Sequence, residues 1–315
     1  MNALTREETR ICVHVPCYNQ RPYISEALDS VLAQTRTDYR VLIIDDHSTD
    51  GSQDIIRAYA ARHPDRIEAI LNEANLGIPR RVALALRHCK SEYFTYLDGD
   101  DLWKPDALEK LAGTLDAQPE AGMCYADSEW FEDGARVLRT QSRGRPRPSG
   151  MIFEPLLDLG NFIPACAVMV RRRAIEAAVA GLENAPFRMA SDYYLWLTVC
   201  ASWPALHITD VLGRWRLHGQ NFSRQRDWDL EIELVVQHLL RTCPAALPLY
   251  VRWAQRMAVM VRTDLQPHKD SYNYIMSRPP MRAYRAVKRA LRLVTGRRAK
   301  EGDPIPPGRE GTAHE

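Results

Sequence analysis

From Ile11 onward, short apolar runs alternate with stretches whose apolar residues recur at helical spacing. Ile11 to Pro16 is short and β-rich, and predicts a buried first strand. Pro22 then suits the first turn of a helix whose inner face is Ile24, Ala27, Leu28, Val31 and Leu32. Tyr39 to Asp46 predicts a second strand. It is almost continuously apolar through Val41-Leu42-Ile43-Ile44, as expected of a strand covered on both faces. A turn at His47 to Gly51 leads to a helix over Ser52 to Arg62. The alternation repeats with a strand at Arg66 to Leu71, a helix at Pro79 to Cys89, and a strand at Tyr93 to Leu97. Asp98-Gly99-Asp100-Asp101 follows, and Lys104-Pro105-Asp106 opens a helix reaching Ala117. Strand and helix in strict alternation predict an α/β fold with a mostly parallel, Rossmann-type sheet flanked by helices. In such sheets ligands bind beyond the carboxyl ends of the strands, where Pro16, Asp46 and Asp98 fall.

Past Gly122 the pattern changes. Met123 to Glu132 and Arg136 to Thr140 predict a hairpin turning at Glu132-Asp133-Gly134-Ala135. Gln141 to Gly150, with its prolines and glycines among arginines, is expected to be a mobile loop. Ala167 to Arg171 predicts a strand, Asp192 to Ala201 a helix, and Ala205 to His218 extended structure. Beyond Asp227 the spacing is helical, with Leu234, Val235, His238 and Leu239 on one face, and the last fifteen residues have a disordered composition. The expected organisation is a catalytic unit over 1–225, a helical extension over 226–300 and a disordered tail over 301–315. The catalytic unit would divide into a nucleotide-binding half, 10–101, and an acceptor half, 102–225.

Composition narrows the function without naming it. Of the 315 residues, 45% are hydrophobic and 26% charged, which is ordinary for a globular protein. A net charge of +2 argues for no nucleic-acid partner. Seven scattered cysteines, none in a C-x-x-C pair, suggest neither a disulfide framework nor a structural zinc site, and instead small core residues in a reducing compartment. The opening MNALTREETR has no apolar stretch, and no apolar run approaches the roughly 20 residues of a membrane-spanning helix. A cytoplasmic location is the expectation.

The first strand ends in Pro16-Cys17-Tyr18-Asn19 rather than G-x-G-x-x-G, and no Walker A sequence is present, which argues against a dehydrogenase and a P-loop ATPase. What remains is acidic: Asp45-Asp46 and Asp98-Gly99-Asp100-Asp101, both at the ends of predicted strands. Two carboxylates one residue apart can grip a hard divalent cation, which would in turn neutralise a leaving pyrophosphate. Taken alone, D-x-D is as well explained by an acidic turn capping the helix at Pro105.

The setting is more specific. ICVHVPCYNQRPYISEALDSVLAQTRTDYRVLIIDDHSTDGS, Ile11 to Ser52, resembles glycosyltransferase family 2, and so does SEYFTYLDGDDLWKPDALEKL, Ser91 to Leu111. Asn161-Phe162-Ile163-Pro164, Ser191 to Leu197 (SDYYLWL) and Trp215-Arg216-Leu217-His218 continue the likeness in that family's order, over roughly Arg10 to Ser223. The resemblance implies a GT-A-type, inverting transferase using a nucleotide-diphosphate sugar, a UDP- or dTDP-sugar, with Mg2+ or Mn2+. Pro16, Tyr18 and Asn19 would then line the nucleotide, with the Tyr18 ring stacking on the base. Asp46 would accept the imide N–H of uracil or thymine. Asp98 would approach the ribose or the metal, Asp100 would ligate the metal, and His218 would add a metal or phosphate contact. Asp192 would be the general base that deprotonates the acceptor hydroxyl. Each has a plainer alternative. Asp46 could organise the Ser48-Thr49-Asp50 turn, Asp192 could be a helix N-cap, and His218 a structural histidine.

Two departures stand out. Ser191 replaces the glutamate many members carry before the base, and Val82 stands where many have an arginine; Arg81 or Arg80 could replace that phosphate contact, Arg81 being the one assigned. The Q-x-x-R-W of processive members is missing, since Val211 stands in place of the glutamine. The expected acceptor is a glycan or lipid-linked saccharide in bacterial cell-surface polysaccharide synthesis. A non-catalytic nucleotide-sugar-binding scaffold and a sugar nucleotidyltransferase are the alternatives. Eight basic residues between Arg282 and Lys300 flank a stripe of Met281, Tyr284, Val287, Leu291 and Val294. That pattern suits an amphipathic helix over 281–300 lying on an anionic membrane surface, or else one docked on its own domain.

Overall fold

A computed structural model of the chain describes residues 9–132, 136–145, 147–219, 221, 228–260 and 281. The first part alternates as the apolar spacing predicts: β1 (Ile11–Cys17), α1 (Ile24–Leu32), β2 (Tyr39–Asp45), α2 (Ser52–Arg62), β3 (Ile67–Leu71), α3 (Ile78–His88) and β4 (Tyr93–Tyr96). A short β5 (Leu102–Trp103) and α4 (Ala107–Ala117) lead into the hairpin of β6 (Met123–Glu132) and β7 (Val137–Thr140). Then come α5 (Phe153–Leu159), β8 (Val168–Arg171), α6 (Arg172–Ile175), α7 (Val179–Glu183), α8 (Ser191–Cys200), β9 (Ala205–Leu217), α9 (Trp228–Thr242) and α10 (Ala246–Met260).

The described strands form one sheet in the order β3-β2-β1-β4-β8-β6-β9-β5, with β7 hanging on β6. β3, β2, β1 and β4 run parallel, and so do β6 and β9. β8 lies antiparallel to both β4 and β6, and β5 antiparallel to β9. The α/β class is as expected, but the sheet is mixed beyond β4. A strand inserted antiparallel at β8 lets the second half of the chain abut the first without a further crossover helix.

β2 shows why its apolar run is continuous. Val41 and Ile43 belong to the cluster under α1 and α4, whereas Leu42 and Ile44 belong to the cluster under α3 and α8. Each such aliphatic side chain, fully buried, contributes about 1.5–3 kcal/mol. α8 is buried more completely still: nine of its ten residues are inaccessible, and the exception is Asp192. A helix apolar all round has to be covered on all sides, and α9 covers the face that the sheet leaves open.

Two expectations change. Cys12 on β1 and Cys89 at the end of α3 are joined as a disulfide, while the remaining five cysteines are free and buried. Seventy-seven residues of chain separate the pair, and only the packing of α3 across β1 brings their Cα atoms to 5.8 Å. The loop from Gln141 to Gly150 is tied down in its described residues rather than loose. The Tyr125 hydroxyl donates to the Pro148 carbonyl, and Gly150 bridges to Ala205 in both directions. No helix among the described residues is long and apolar enough to cross a membrane. Of the basic stretch 281–300, only Met281 lies within the described residues, and it is buried (2% exposed) in the larger apolar cluster. The tail 301–315 lies outside them.

Gly122 marks the seam where β6, β8 and β9 meet. Its N–H donates to the Pro204 carbonyl and its own carbonyl accepts from Arg171 N–H. A Cβ there would lie 2.3 Å from the Cβ of Trp203. Gly122→Ala is expected to cost about 1–3 kcal/mol through overpacking, read as a lower urea midpoint with an unchanged m-value.

Candidate active site

The loops at the strand ends hold one another. Asn19 sits in the left-handed region (φ 53°). Its Oδ1 accepts from Thr49 N–H (2.9 Å) while its own N–H donates to Ser48 Oγ (2.8 Å). Gln20 N–H donates to Ser52 Oγ (3.0 Å), so the turn after β1 is fastened to the turn after β2 at successive points. Asn19 is thus a brace between the two turns. Tyr18, beside it, is 47% exposed and offers a free aromatic face. Pro16 is buried, and what it supplies is its carbonyl, which accepts from Gly99 N–H (3.2 Å).

The two neighbouring aspartates divide their work differently from expectation. Asp45, not Asp46, organises the Ser48 turn, accepting from Ser48 N–H (2.9 Å) and Gln53 Nε2 (2.8 Å). Asp46 is 1% exposed and turns the other way. It accepts from Asn72 Nδ2 (3.0 Å), Leu76 N–H (2.8 Å) and Gly77 N–H (2.9 Å). A carboxylate has about four acceptor positions, so one remains for a base edge. Reaching it requires the 72–77 loop to give way.

The acidic turn lies against these loops. Gly99 lies closely packed there: a Cβ would meet Gln20 Oε1 at 2.4 Å, Ile24 Cδ1 at 2.9 Å and the Pro16 carbonyl at 3.1 Å, so a larger residue would have to displace those side chains. Burial, then the charges of Asp100 and Asp192, push the Asp98 carboxyl up to about 7, against the pull of Arg81. Asp101, 2% exposed, is likewise raised by burial and then by Asp100 and Asp98. Arg216 on β9 answers this accumulation. Its backbone N–H donates to Asp101 Oδ1 (2.9 Å), its Nε to the Asp100 carbonyl (2.9 Å) and its Nη2 to Glu26 (2.7 Å). Two residues on, His218 Nε2 lies 3.0 Å from Asp100 Oδ2 and 3.2 Å from Asn221 Nδ2, its ring stacked on Tyr23 at 4.6 Å. The acidic turn therefore does not cap the next helix: α4 starts at Ala107, after Asp106.

Asp192 arrives from the other half of the chain. It is the second residue of α8, after Ala190 in the cap position, so it is not the N-cap. Its Oδ1 accepts from Tyr193 N–H (2.7 Å) and its Oδ2 from Asn161 Nδ2 (2.6 Å). Burial raises its carboxyl above the ordinary range against these two donors. Tyr96, on the strand that precedes the acidic turn, is raised by burial and next by the charge of Asp192. Arg81, rather than the exposed Arg80, faces inward: it is 8% exposed, donates to the Cys17 carbonyl (3.2 Å), and leaves its Nε unpartnered.

The three expected metal ligands, Asp98, Asp100 and His218, do not form a closed cage; no cluster of three or more such side chains exists among the described residues. The reason is local: His218 Nε2 lies at hydrogen-bond distance from Asp100 itself, so the two side chains face each other. The fit is that of an open site. Mg2+ and its relatives take one or two carboxylates and complete their shell with substrate phosphates and water, and the raised Asp98 beside Asp100 marks a place where added positive charge is favourable. Asp100 with Asp98 would hold such a cation.

Sequence reasoning missed the work of Arg216, Asn161 and Gly99, though each lies in a quoted motif. One signal was available: on a strand residues i and i+2 share a face, so Arg216 and His218 had to point the same way.

The model of the family described as Glycosyl transferase family 2 matches residues 12–177. The putative teichuronic acid biosynthesis glycosyltransferase TuaG of Bacillus subtilis is 37% identical over 225 residues, covering 71% of this chain and 85% of that protein. Among solved structures, residues 1–349 of S. aureus TarS in complex with UDP superpose with a TM-score of 0.56 at 17% identity, over 81% of this chain and 73% of that one. The mannosyltransferase PcManGT from Pyrobaculum calidifontis, in complex with GDP-Man and Mn2+, gives 0.53 at 19% identity, over 90% and 80%. These likenesses show the fold. The chain spans less than two thirds of the length of other curated relatives, 66% of one and 62% of another.

Arg216 is the test of how the acidic turn is held. Arg216→Met is expected to lower stability by about 2–4 kcal/mol, because it removes donors from a buried carbonyl and a cation from beside buried carboxylates. Arg216→Lys, lacking the planar fork, should recover only part of that loss in the same chemical denaturation measurement.

Proposed function

The chain belongs to glycosyl transferase family 2, and on that premise we propose that it transfers a sugar from a nucleotide diphosphate to an acceptor hydroxyl, with inversion, in cell-surface polysaccharide synthesis. What supports this reading is that Asp192, held by Asn161 on a helix of the second half, lies near enough for its charge to act on Asp98 beside Asp100 in the acidic turn of the first. One carboxylate pair on a turn suits a cation and a diphosphate. A third carboxylate, held on a separate helix and oriented by its own amide donor, suits a base.

In this reading the exposed ring of Tyr18 stacks on the nucleotide base, Asn19 keeps the surrounding turns in place, and Asp46 shapes the base pocket through the 72–77 loop. With that loop opened, its remaining acceptor position would take the imide N–H of a uracil or thymine ring. A divalent cation bound at Asp100 and Asp98 would supply charge neutralisation for the departing diphosphate. Arg81, buried and positively charged beside Asp98, reinforces that side. His218 and Arg216 fix the Asp100 carboxylate and backbone, so its direction is set before any ligand arrives.

Asp192 takes the proton from the acceptor hydroxyl. The oxygen attacks the anomeric carbon as the bond to the diphosphate oxygen breaks, and the leaving group departs with the electron pair. One base suffices for a single displacement, and the product has inverted configuration. Asn161 Nδ2 holds the carboxylate in one orientation. The donor is proposed to be a UDP- or dTDP-sugar and the acceptor a glycan or lipid-linked saccharide.

Thermal unfolding with UDP, dTDP or GDP, with and without Mn2+, reads the donor site directly, because a ligand that binds only the folded state raises its stability by RT ln(1 + [L]/Kd). A cation-dependent rise with a uridine or thymidine diphosphate, absent in Asp100→Ala, is expected. No rise with any nucleotide at millimolar concentration would leave the scaffold alternative in front.

Asp192→Asn tests the chemical step. Transfer should fall by about 10²–10⁴-fold while nucleotide binding persists. The base works ionised and its carboxyl is raised by burial, so wild-type transfer should fall as pH drops, starting above the ordinary aspartate range near ~3.9. An acid limb no higher than that of free aspartate, or full activity in Asp192→Asn, would remove it as the base.

A further inference from the structure

The β6–β7 hairpin and the loop after it carry arginines that no donor-site role uses. Arg136, Arg143 and Arg145 are exposed, and Arg139 and Arg147 partly so. Among the described residues, none of the five is paired with a carboxylate, whereas Arg10, Arg36, Arg171, Arg214 and Arg216 all are. Arg143 lies near enough to Arg139 to depress its basicity, after burial, so like charges have been gathered rather than spread.

The display is also anchored. Asp127 accepts from Ser128 N–H, Ser142 N–H and the Ser142 hydroxyl, fixing the turn that carries Arg143 and Arg145. Arg139 lies over the Trp130 ring at 3.4 Å, and Trp130 meets Trp215 edge-on at 4.4 Å, next to Arg216. Arg147 lies over Phe162 at 5.5 Å, and the neighbouring Asn161 donates to Asp192. One end of the arginine loop is thus tied to the base's own support, on the acceptor side, and the other to the strand that holds the acidic turn.

We propose that Arg139, Arg143, Arg145 and Arg147 form a subsite for a phosphate or diphosphate group carried by the acceptor. The assignment to the acceptor rests on Asp192 being the base; the anion-binding itself does not. A guanidinium fork matches phosphate oxygens in pairs, and a neutral glycan would gain nothing from several uncompensated cations. In the proposed function the donor diphosphate is met separately, by Arg81 and by the cation that Asp98 and Asp100 would hold.

The test is equilibrium binding of inorganic pyrophosphate, geranyl diphosphate and geraniol to the full chain in EDTA, where cation-dependent donor binding is silent. Wild type should bind both diphosphates, more weakly as salt rises, and not geraniol. Arg143→Gln/Arg145→Gln, which alters only exposed side chains, should bind them about tenfold more weakly. UDP with Mn2+ should bind wild type and variant alike. Geranyl diphosphate binding more tightly than pyrophosphate points to a lipid-borne phosphate, and equal binding to a phosphate within a polymer. Equal diphosphate binding by variant and wild type, no binding by wild type, or displacement by UDP with Mn2+ at a single shared site would overturn the proposal. Loss of UDP binding in wild type would instead count against the donor site, leaving the arginine result to be judged separately.

Discussion

Asp98, Asp100 and Asp101 stand on one turn, with Asp192 near enough to raise Asp98 further, and carboxylates so placed repel one another. The fold tolerates this because positive and donating groups arrive from other elements: Arg216 from β9, His218 from just past its end, Arg81 from α3. Gly99 lets the turn lie against the Pro16 carbonyl and the ends of Gln20 and Ile24, which a Cβ would crowd. The result is a concentration of negative charge that is compensated from several elements at once. That explains why so many otherwise separate features converge on a few residues.

The chain divides the labour between its halves. The parallel strands β1, β2 and β4 bring three loops to one edge, and hydrogen bonds from Asn19, Asp45 and Asp46 lock those loops into a frame. The second half supplies what the frame lacks. β8 lets the sheet continue past β4, β9 carries Arg216 and His218 back to the acidic turn, and α8 delivers Asp192 as its only accessible residue. α8 has no exposed face, and its aspartate is held by Tyr193 N–H and Asn161.

Several differences between sequence and structure share one cause. Asp45 ends β2 and Asp46 follows it, the two side chains take different partners, and composition cannot say which of them faces the 72–77 loop. Asp192 looks like a cap because aspartate is common there, yet the helix begins one residue earlier. The 141–150 loop looks loose from its glycines and prolines, but Asp127 and Tyr125, distant in sequence, pin it. Cys12 and Cys89 become a pair only when α3 packs across β1.

By itself the sequence determined the element order of the first half, the continuous burial of β2, the strand-end position of the acidic turns and the family, because these follow from local periodicity and from motifs read in order; β5 and the short helices α5, α6 and α7 carry no such pattern. Tertiary structure alone decided that Arg81 and not Arg80 faces inward, that Asp46 holds a loop, that Arg216 restrains the acidic turn and that Asn161 orients Asp192. Those are contacts between residues tens to more than a hundred positions apart. Their partners are chosen by the packing of strands and helices, which no local pattern encodes.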